Sequence, residues 1–212
     1  MFDVNETLTD MSPLATRLEH IGLPGHQLSA WFAGVLRDGT ALTLAGGHAT
    51  FADVGRDVLR TLLARQAPES DPDEAVAHVL GGLPELPVHP DVPDGVRALR
   101  SAGRRLLTLT NGSSGITRAV LEKAGLADSF EAHLDVEAVG AWKPAPSAYA
   151  HALRTAGVPP GEVMLVSVHP WDIDGAGRAG LATAWLRREP GPYPSVMRPA
   201  DIVTEELAGL AG

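Results

Sequence analysis

Cysteine is absent from the 212 residues, which excludes disulfides, thiolate catalysis and cysteine-based zinc sites and makes a reducing cytoplasm the expected compartment. No apolar run reaches the roughly 18 residues that a membrane span requires, and no basic stretch followed by an apolar one opens the chain as a secretory leader would. Positive charge is in short supply. The 17 Lys and Arg face 26 Asp and Glu, a formal net charge of −9. Such a surface repels phosphate backbones and anionic lipid, so neither nucleic acid nor a membrane is an expected partner, and an anionic small molecule needs a local basic patch. No internal repeat is visible, and the 17 prolines and 23 glycines are spread out, punctuating elements rather than forming a low-complexity tail.

A chain that is 44% apolar and 20% charged has enough to bury a sizeable core, as one domain or one domain with an insert. RRLLTLT, from Arg104 to Thr110, is a short β-rich run that ends in the turn NGSSG and leads into the helical spacing of ITRAVLEKAGL. The same order recurs at EVMLVSV, from Glu162 to Val168, followed by HPWDIDGAGRAG; TAWL, from Thr183 to Leu186, is a further strand. Helical stretches at Pro90 to Ala102 and Ser147 to Ala156 alternate with these strands, which predicts an α/β fold with a doubly wound parallel sheet. Between Ser12 and Pro87 the apolar residues fall at three- and four-residue spacing with almost no strand signal. The expected division is therefore an α/β core of residues 1–11 and 88–212 with an all-helical insert at 12–87, placed to cover the carboxyl ends of the sheet. Ser70 to Val76 reads as a capped helix start.

Residues just past the ends of parallel strands converge on one crevice. Asp3, Thr110 with Asn111, Lys143 and Asp172 hold such places: an acid, a hydroxyl and amide, an ammonium and a second acid. Each has an ordinary alternative. An Asp caps helices, Thr-Asn-Gly makes turns, a Lys before Pro is commonly exposed, and His169 alone reads as a surface or packed histidine. Their conjunction favours a site.

Four segments, FDVNETL, TLTNGSS, WKPAPSAY and VSVHPWDIDGAG, resemble in order and spacing the four motifs of the haloacid dehalogenase superfamily, over essentially the full length of the chain. Within it, the TNG, KPAPSAY and WDIDGA stretches with a helical insert after the first motif are similar to the L-specific 2-haloacid dehalogenases. The resemblance implies a Rossmann-like core under a helical cap. It also implies a cofactor-free, metal-free hydrolase in which the Asp3 carboxylate displaces halide and forms an ester. Asp172, with Lys143 nearby, then activates water to hydrolyse that ester to a 2-hydroxy acid of inverted configuration. Asn5, Thr110, Asn111, Arg37, His169 and Trp171 are the expected substrate-binding residues, with Trp31 and Phe32 as either pocket lining or core.

Phosphatases of the same superfamily carry a second acid where this chain has Asn5, and an acidic metal ligand four residues before the Asp172 position, where it has Val168. An amide cannot donate and retake a proton, and without the carboxylate Mg²⁺ is held weakly at best. Glu6 is the one candidate to replace the missing acid. A Mg²⁺-dependent phosphatase and a non-catalytic member stay open as alternatives. The dehalogenase pattern is broken too: Asn5 stands where a Tyr is usual, His169 where an Asn is usual, and Arg37 is out of the usual register for a halide-cradling arginine. Only Met1 and Phe2 precede Asp3, where related chains have a longer strand. Either the true start lies upstream or the nucleophile rests on very short pairing, which predicts looseness. The apolar faces of PLATRLEHIGL and WFAGVL allow a homodimer.

Overall fold

A computed structural model describes residues 1–67 and 69–212; Pro68, inside the expected helical insert, lies outside them. Four helices come first: α1 (Pro13–His20), α2 (Gln27–Leu44), α3 (Phe51–Gln66) and α4 (Pro72–Leu80). Then α5 (Val92–Ser101), β1 (Leu107–Thr110), α6 (Ser114–Lys123), β2 (Ala132–Asp135), α7 (Pro146–Ala156), β3 (Met164–Ser167), α8 (Pro170–Arg178), β4 (Ala182–Leu186) and β5 (Ile202–Thr204) follow. Every strand ladder is parallel, in the two sets β2–β1 and β3–β4–β5. The segment Met1–Asp3 joins them, with Phe2 bridged to Thr108 on one side and to Val166 on the other.

The short first segment is paired on both sides. Phe2 N–H donates to Leu107 O (2.8 Å) and its carbonyl accepts from Leu109 N–H (2.8 Å); Asp3 N–H donates to Val166 O (3.0 Å), and Met1 O accepts from Val166 N–H (2.9 Å). Four backbone hydrogen bonds to two neighbours seat this short segment between β1 and β3. Successive side chains alternate across the sheet. Phe2 and Val166 pack with Val92, Val96 and Leu121 of α5 and α6, whereas Met1, Leu109 and Leu165 pack with Tyr149 and Ala176 of α7 and α8. Helices therefore cover both faces, and the doubly wound α/β architecture holds.

The first four helices share a separate core of Leu14, Leu18, Trp31, Val35, Leu59 and Val79, joined by Trp142 from the other part of the chain. Leu14 and Leu18 of α1 and Trp31, Phe32 and Val35 of α2 pack inside this chain, whereas Leu42 and Leu44 of α2 stay exposed. Trp31 is core, its indole N–H donating to Gly55 O at 2.9 Å. The start of α4 is capped, as the stretch from Ser70 to Val76 predicts: Asp71 accepts from Asp73 and Glu74 N–H, and the Ser70 hydroxyl donates to Ile21 O. Among the described residues no helix is long and apolar enough to cross a membrane.

Candidate active site

Asp3 ends the central segment, and the chain then doubles back tightly. Val4 O accepts from the N–H groups of Thr7 (3.1 Å), Leu8 (2.8 Å) and Thr9 (3.1 Å), and Glu6 takes a left-handed φ of 61° to close the turn. The reversal brings the Thr7 hydroxyl onto Asp3 Oδ2 at 2.7 Å. Ser167, the last residue of β3, points its hydroxyl at the same oxygen from 3.4 Å. Asp172 sits in the first turn of α8, where the helix N-terminus favours a carboxylate.

Lys143 links the two acids. Its Nζ donates to Asp3 Oδ1 at 2.8 Å and to Asp172 Oδ2 at 2.7 Å, with the Trp171 ring centroid 5.8 Å away. Lys143 and Asp172 are 0% exposed and Asp3 4%, so the charges persist only because they are paired. Burial opposes ionisation of Asp3, but Lys143, His169 and the Thr7 hydroxyl outweigh it and hold its carboxyl below the ordinary range. Burial, with the Asp3 charge added, pushes Asp172 upward despite Lys143. Burial pulls on the ammonium too, yet the two carboxylates leave it raised. One acid kept ionised beside another poised to take a proton is the division of labour expected of a nucleophile and a general base.

Tyr149 O–H donates to Asp172 Oδ1 at 2.6 Å, so both carboxylate oxygens of Asp172 are engaged. Burial, then the Asp172 charge, lifts the phenol well above its usual range, and it stays a donor. Thr7, Ser167 and Tyr149 lie inside the motif segments, but each acts through a turn or helix phase that apolar periodicity does not report.

Other expected site residues fall differently. The Asn111 side chain is engaged by the lysine backbone: Oδ1 accepts from Lys143 N–H (2.8 Å) and Nδ2 donates to Lys143 O (3.3 Å). Thr110 Oγ1 accepts from Gly112 N–H at 2.9 Å. Thr110 and Asn5 line a small cavity of about 20 Å³ with Val4, Phe51, Gly112 and Ser113, room for about one water. His169 stacks on Trp171 (5.1 Å between centroids, 17°) with Phe32 5.9 Å away; its Nε2 is 3.6 Å from Asp3 Oδ2 and 3.8 Å from Glu6 Oε2. Glu6 thus meets the site through His169, and burial raises its carboxyl. Arg37 is a correction: its side chain is 73% exposed and paired with Asp38 at 2.7 Å. It lies on the solvent face of α2, whereas Trp31 and Val35 face the core.

The donor set does not suit a hard divalent cation. The Lys143 ammonium occupies the ground between the two carboxylates, Asn5 contributes an amide, and Val168 packs with apolar neighbours where a further carboxylate would be needed.

A family model described as haloacid dehalogenase-like hydrolase matches residues 1–180. The chain is 31% identical over 192 residues to an (S)-2-haloacid dehalogenase of Xanthobacter autotrophicus, covering 89% of this chain and 74% of that one. It is 28% identical to (S)-2-haloacid dehalogenase 4A of Burkholderia cepacia, covering 91% and 84%. Among solved structures, the L-2-haloacid dehalogenase from Xanthobacter autotrophicus with chloropropionic acid covalently bound superimposes with a TM-score of 0.89 at 26% identity, covering 99% of this chain and 95% of that one. With a buried acid–lysine–acid centre on a doubly wound sheet and a family match over most of its length, the chain belongs to the haloacid dehalogenase-like hydrolases.

Proposed function

We propose that the protein hydrolyses the carbon–halogen bond of 2-haloacids through an ester on Asp3. A carboxylate oxygen of Asp3 attacks the halogen-bearing carbon; the C–O bond forms as the C–X bond breaks, and the bonding pair leaves with halide. Water then adds to the ester carbonyl carbon of Asp3 and gives its proton to Asp172. Collapse of that intermediate frees the 2-hydroxy acid and regenerates the carboxylate, so the oxygen gained by the substrate is one that Asp3 held and water replaces it in the enzyme. Lys143 offsets the charge of both acids and of the anionic substrate. The turn from Thr110 to Ser113, which opens α6, is the side from which the substrate carboxylate is received, through the Thr110 hydroxyl and the start of the helix. His169 and Trp171 complete the wall, and the helical segment 12–87 covers the core of 1–11 and 88–212.

The observation that carries this reading over phosphoryl transfer is the ammonium between Asp3 and Asp172, with Asn5 and Val168 at the two positions where a phosphatase needs acids. Halide leaves without a proton, so the site needs no acid at Asn5. The relatives support the same chemistry, since one carries chloropropionic acid covalently bound. The decisive experiment is multiple turnover of 2-chloropropionate in ¹⁸O water with EDTA present. Halide release with label in the Asp3 peptide is the expected result. No halide from any haloacid tried, or Mg²⁺-dependent hydrolysis of a phosphate ester lost in Glu6→Gln, overturns it.

A further inference from the structure

We infer that Arg188 is a positioning residue for the nucleophile, the anchor of a clamp that grips three consecutive carbonyls of the loop following Asp3. His169 Nε2 is 3.2 Å from Asn5 O, His89 Nε2 is 3.0 Å from Glu6 O, and Arg188 meets Thr7 O with both Nη2 (2.8 Å) and Nε (3.1 Å). A carbonyl only accepts, so each imidazole presents a hydrogen on Nε2. The three donors come from three places: the start of α8, the segment before α5 and the end of β4. The loop they hold is itself bent around Val4 O and through the left-handed Glu6, a conformation that its surroundings must maintain.

His169 Nε2 lies 3.6 Å from Asp3 Oδ2 itself, whereas the grip of Arg188 is passed to the reacting group through Thr7. The peptide that it fixes by its carbonyl belongs to Thr7, whose hydroxyl donates to Asp3 Oδ2 (2.7 Å) and accepts from Val168 N–H (3.1 Å). Arg188 is fixed in turn, since Nη1 donates to Asp91 Oδ1 (2.8 Å) and Asp91 Oδ2 accepts from Leu207 N–H (3.1 Å). Its side chain is 14% exposed, whereas every other ion-paired arginine among the described residues is at least 39% exposed. With Nε and Nη2 on Thr7 and Nη1 on Asp91, the guanidinium is committed to the loop and is not an open anion receptor. It acts on Asp3 only through Thr7.

The kinetic arm of the test rests on the proposed dehalogenation; the exchange arm does not. Arg188→Ala and Arg188→Lys are compared with the parent protein by turnover of 2-chloropropionate and by residue-resolved amide hydrogen exchange. For Arg188→Ala, kcat falls by about 100-fold, as expected for a nucleophile displaced by about 1 Å, while KM stays within about threefold. Added guanidinium ion restores at least about a tenth of the lost rate, and Arg188→Lys, which keeps the charge but not the fork, falls between. Exchange at Val168, Leu8 and Thr9 N–H accelerates at least about tenfold, while Leu109 N–H in β1 is unchanged. Unchanged exchange at Val168, a kcat within twofold of the parent, or a loss that guanidinium does not restore overturns the inference. Should Arg188→Ala not fold, the same readings on Arg188→Lys decide. A parent protein inert towards haloacids sinks the dehalogenase reading instead, and exchange alone then judges Arg188.

Discussion

Asp3 and Asp172 share one ammonium: Lys143 Nζ is 2.8 Å from the first and 2.7 Å from the second, and solvent reaches almost none of the three side chains. The sharing is unequal in effect. Thr7, Ser167 and His169 gather around the remaining oxygen of Asp3, whereas Tyr149 takes the remaining oxygen of Asp172. The two half-reactions can therefore be separated.

Asp172→Asn keeps Asp3 ionised and paired while removing the acceptor for water's proton. Alkylation proceeds and deacylation stalls, so steady-state halide release drops by about 100-fold or more after one equivalent. Intact-protein mass spectrometry after mixing with 2-chloropropionate is expected to find the adduct on Asp3.

Lowering the pH should achieve the same in the unaltered protein. Asp172 sits above the ordinary carboxylate range and Asp3 below it, so acidification protonates the base first and leaves the nucleophile charged. The ester fraction in acid-quenched samples rises as pH falls through the Asp172 transition, before alkylation itself is lost at lower pH. An ester fraction independent of pH would contradict the assignment of the two acids.

Lys143→Met strands two carboxylates in the interior, a loss of about 3–5 kcal/mol for a buried pair deprived of one partner. Without the ammonium, ionised Asp172 is a burden to the folded state, and its elevated affinity for protons gives the sign: the deficit is greatest at neutral pH and shrinks on acidification. Urea titrations of parent and variant across that range measure it.

Gly39→Ala tests the link between the helical cover and the lysine. A Cβ at Gly39 would lie 2.4 Å from ring atoms of Trp142, and Trp142 immediately precedes Lys143. Overpacking of this kind costs about 1–3 kcal/mol, and here turnover should fall along with thermal stability. A variant with lowered stability but full kcat would separate the two.

Strands β1, β3 and β4 are legible because buried parallel strands read as apolar runs that end at turns. AHLD at β2 and IVT at β5 carry no such signal, being short and half-buried or exposed at the sheet's outer edges. Asp3, Lys143 and Asp172 were readable by their places after strands and in motifs. Their supports were not, because Tyr149 reaches Asp172 only through the docking of α7 beside α8, and Arg188 reaches Thr7 across 181 positions of chain. Arg37 misled for a geometric reason. It stands two residues after buried Val35, about 200° around the helix and hence in water. The hold of the Asn111 amide on the lysine's main chain was not legible either, because it joins residues 32 positions apart across two loops.

Trp142 has one more consequence, for traffic into the cleft. Its indole N–H is fastened to Ala49 O (3.0 Å) and its backbone N–H to Thr43 Oγ1 (3.0 Å), both on the helical side. Were the lid to hinge away along that border, it would have to snap those tethers or tow the ammonium off the nucleophile. Among the described residues the far seam carries no such moorings to the lysine: there Leu28 and Ser29 look across at Glu6 and His169 over a trough of about 490 Å³. Opening along that trough would leave both Trp142 tethers, and the lysine beside them, in place.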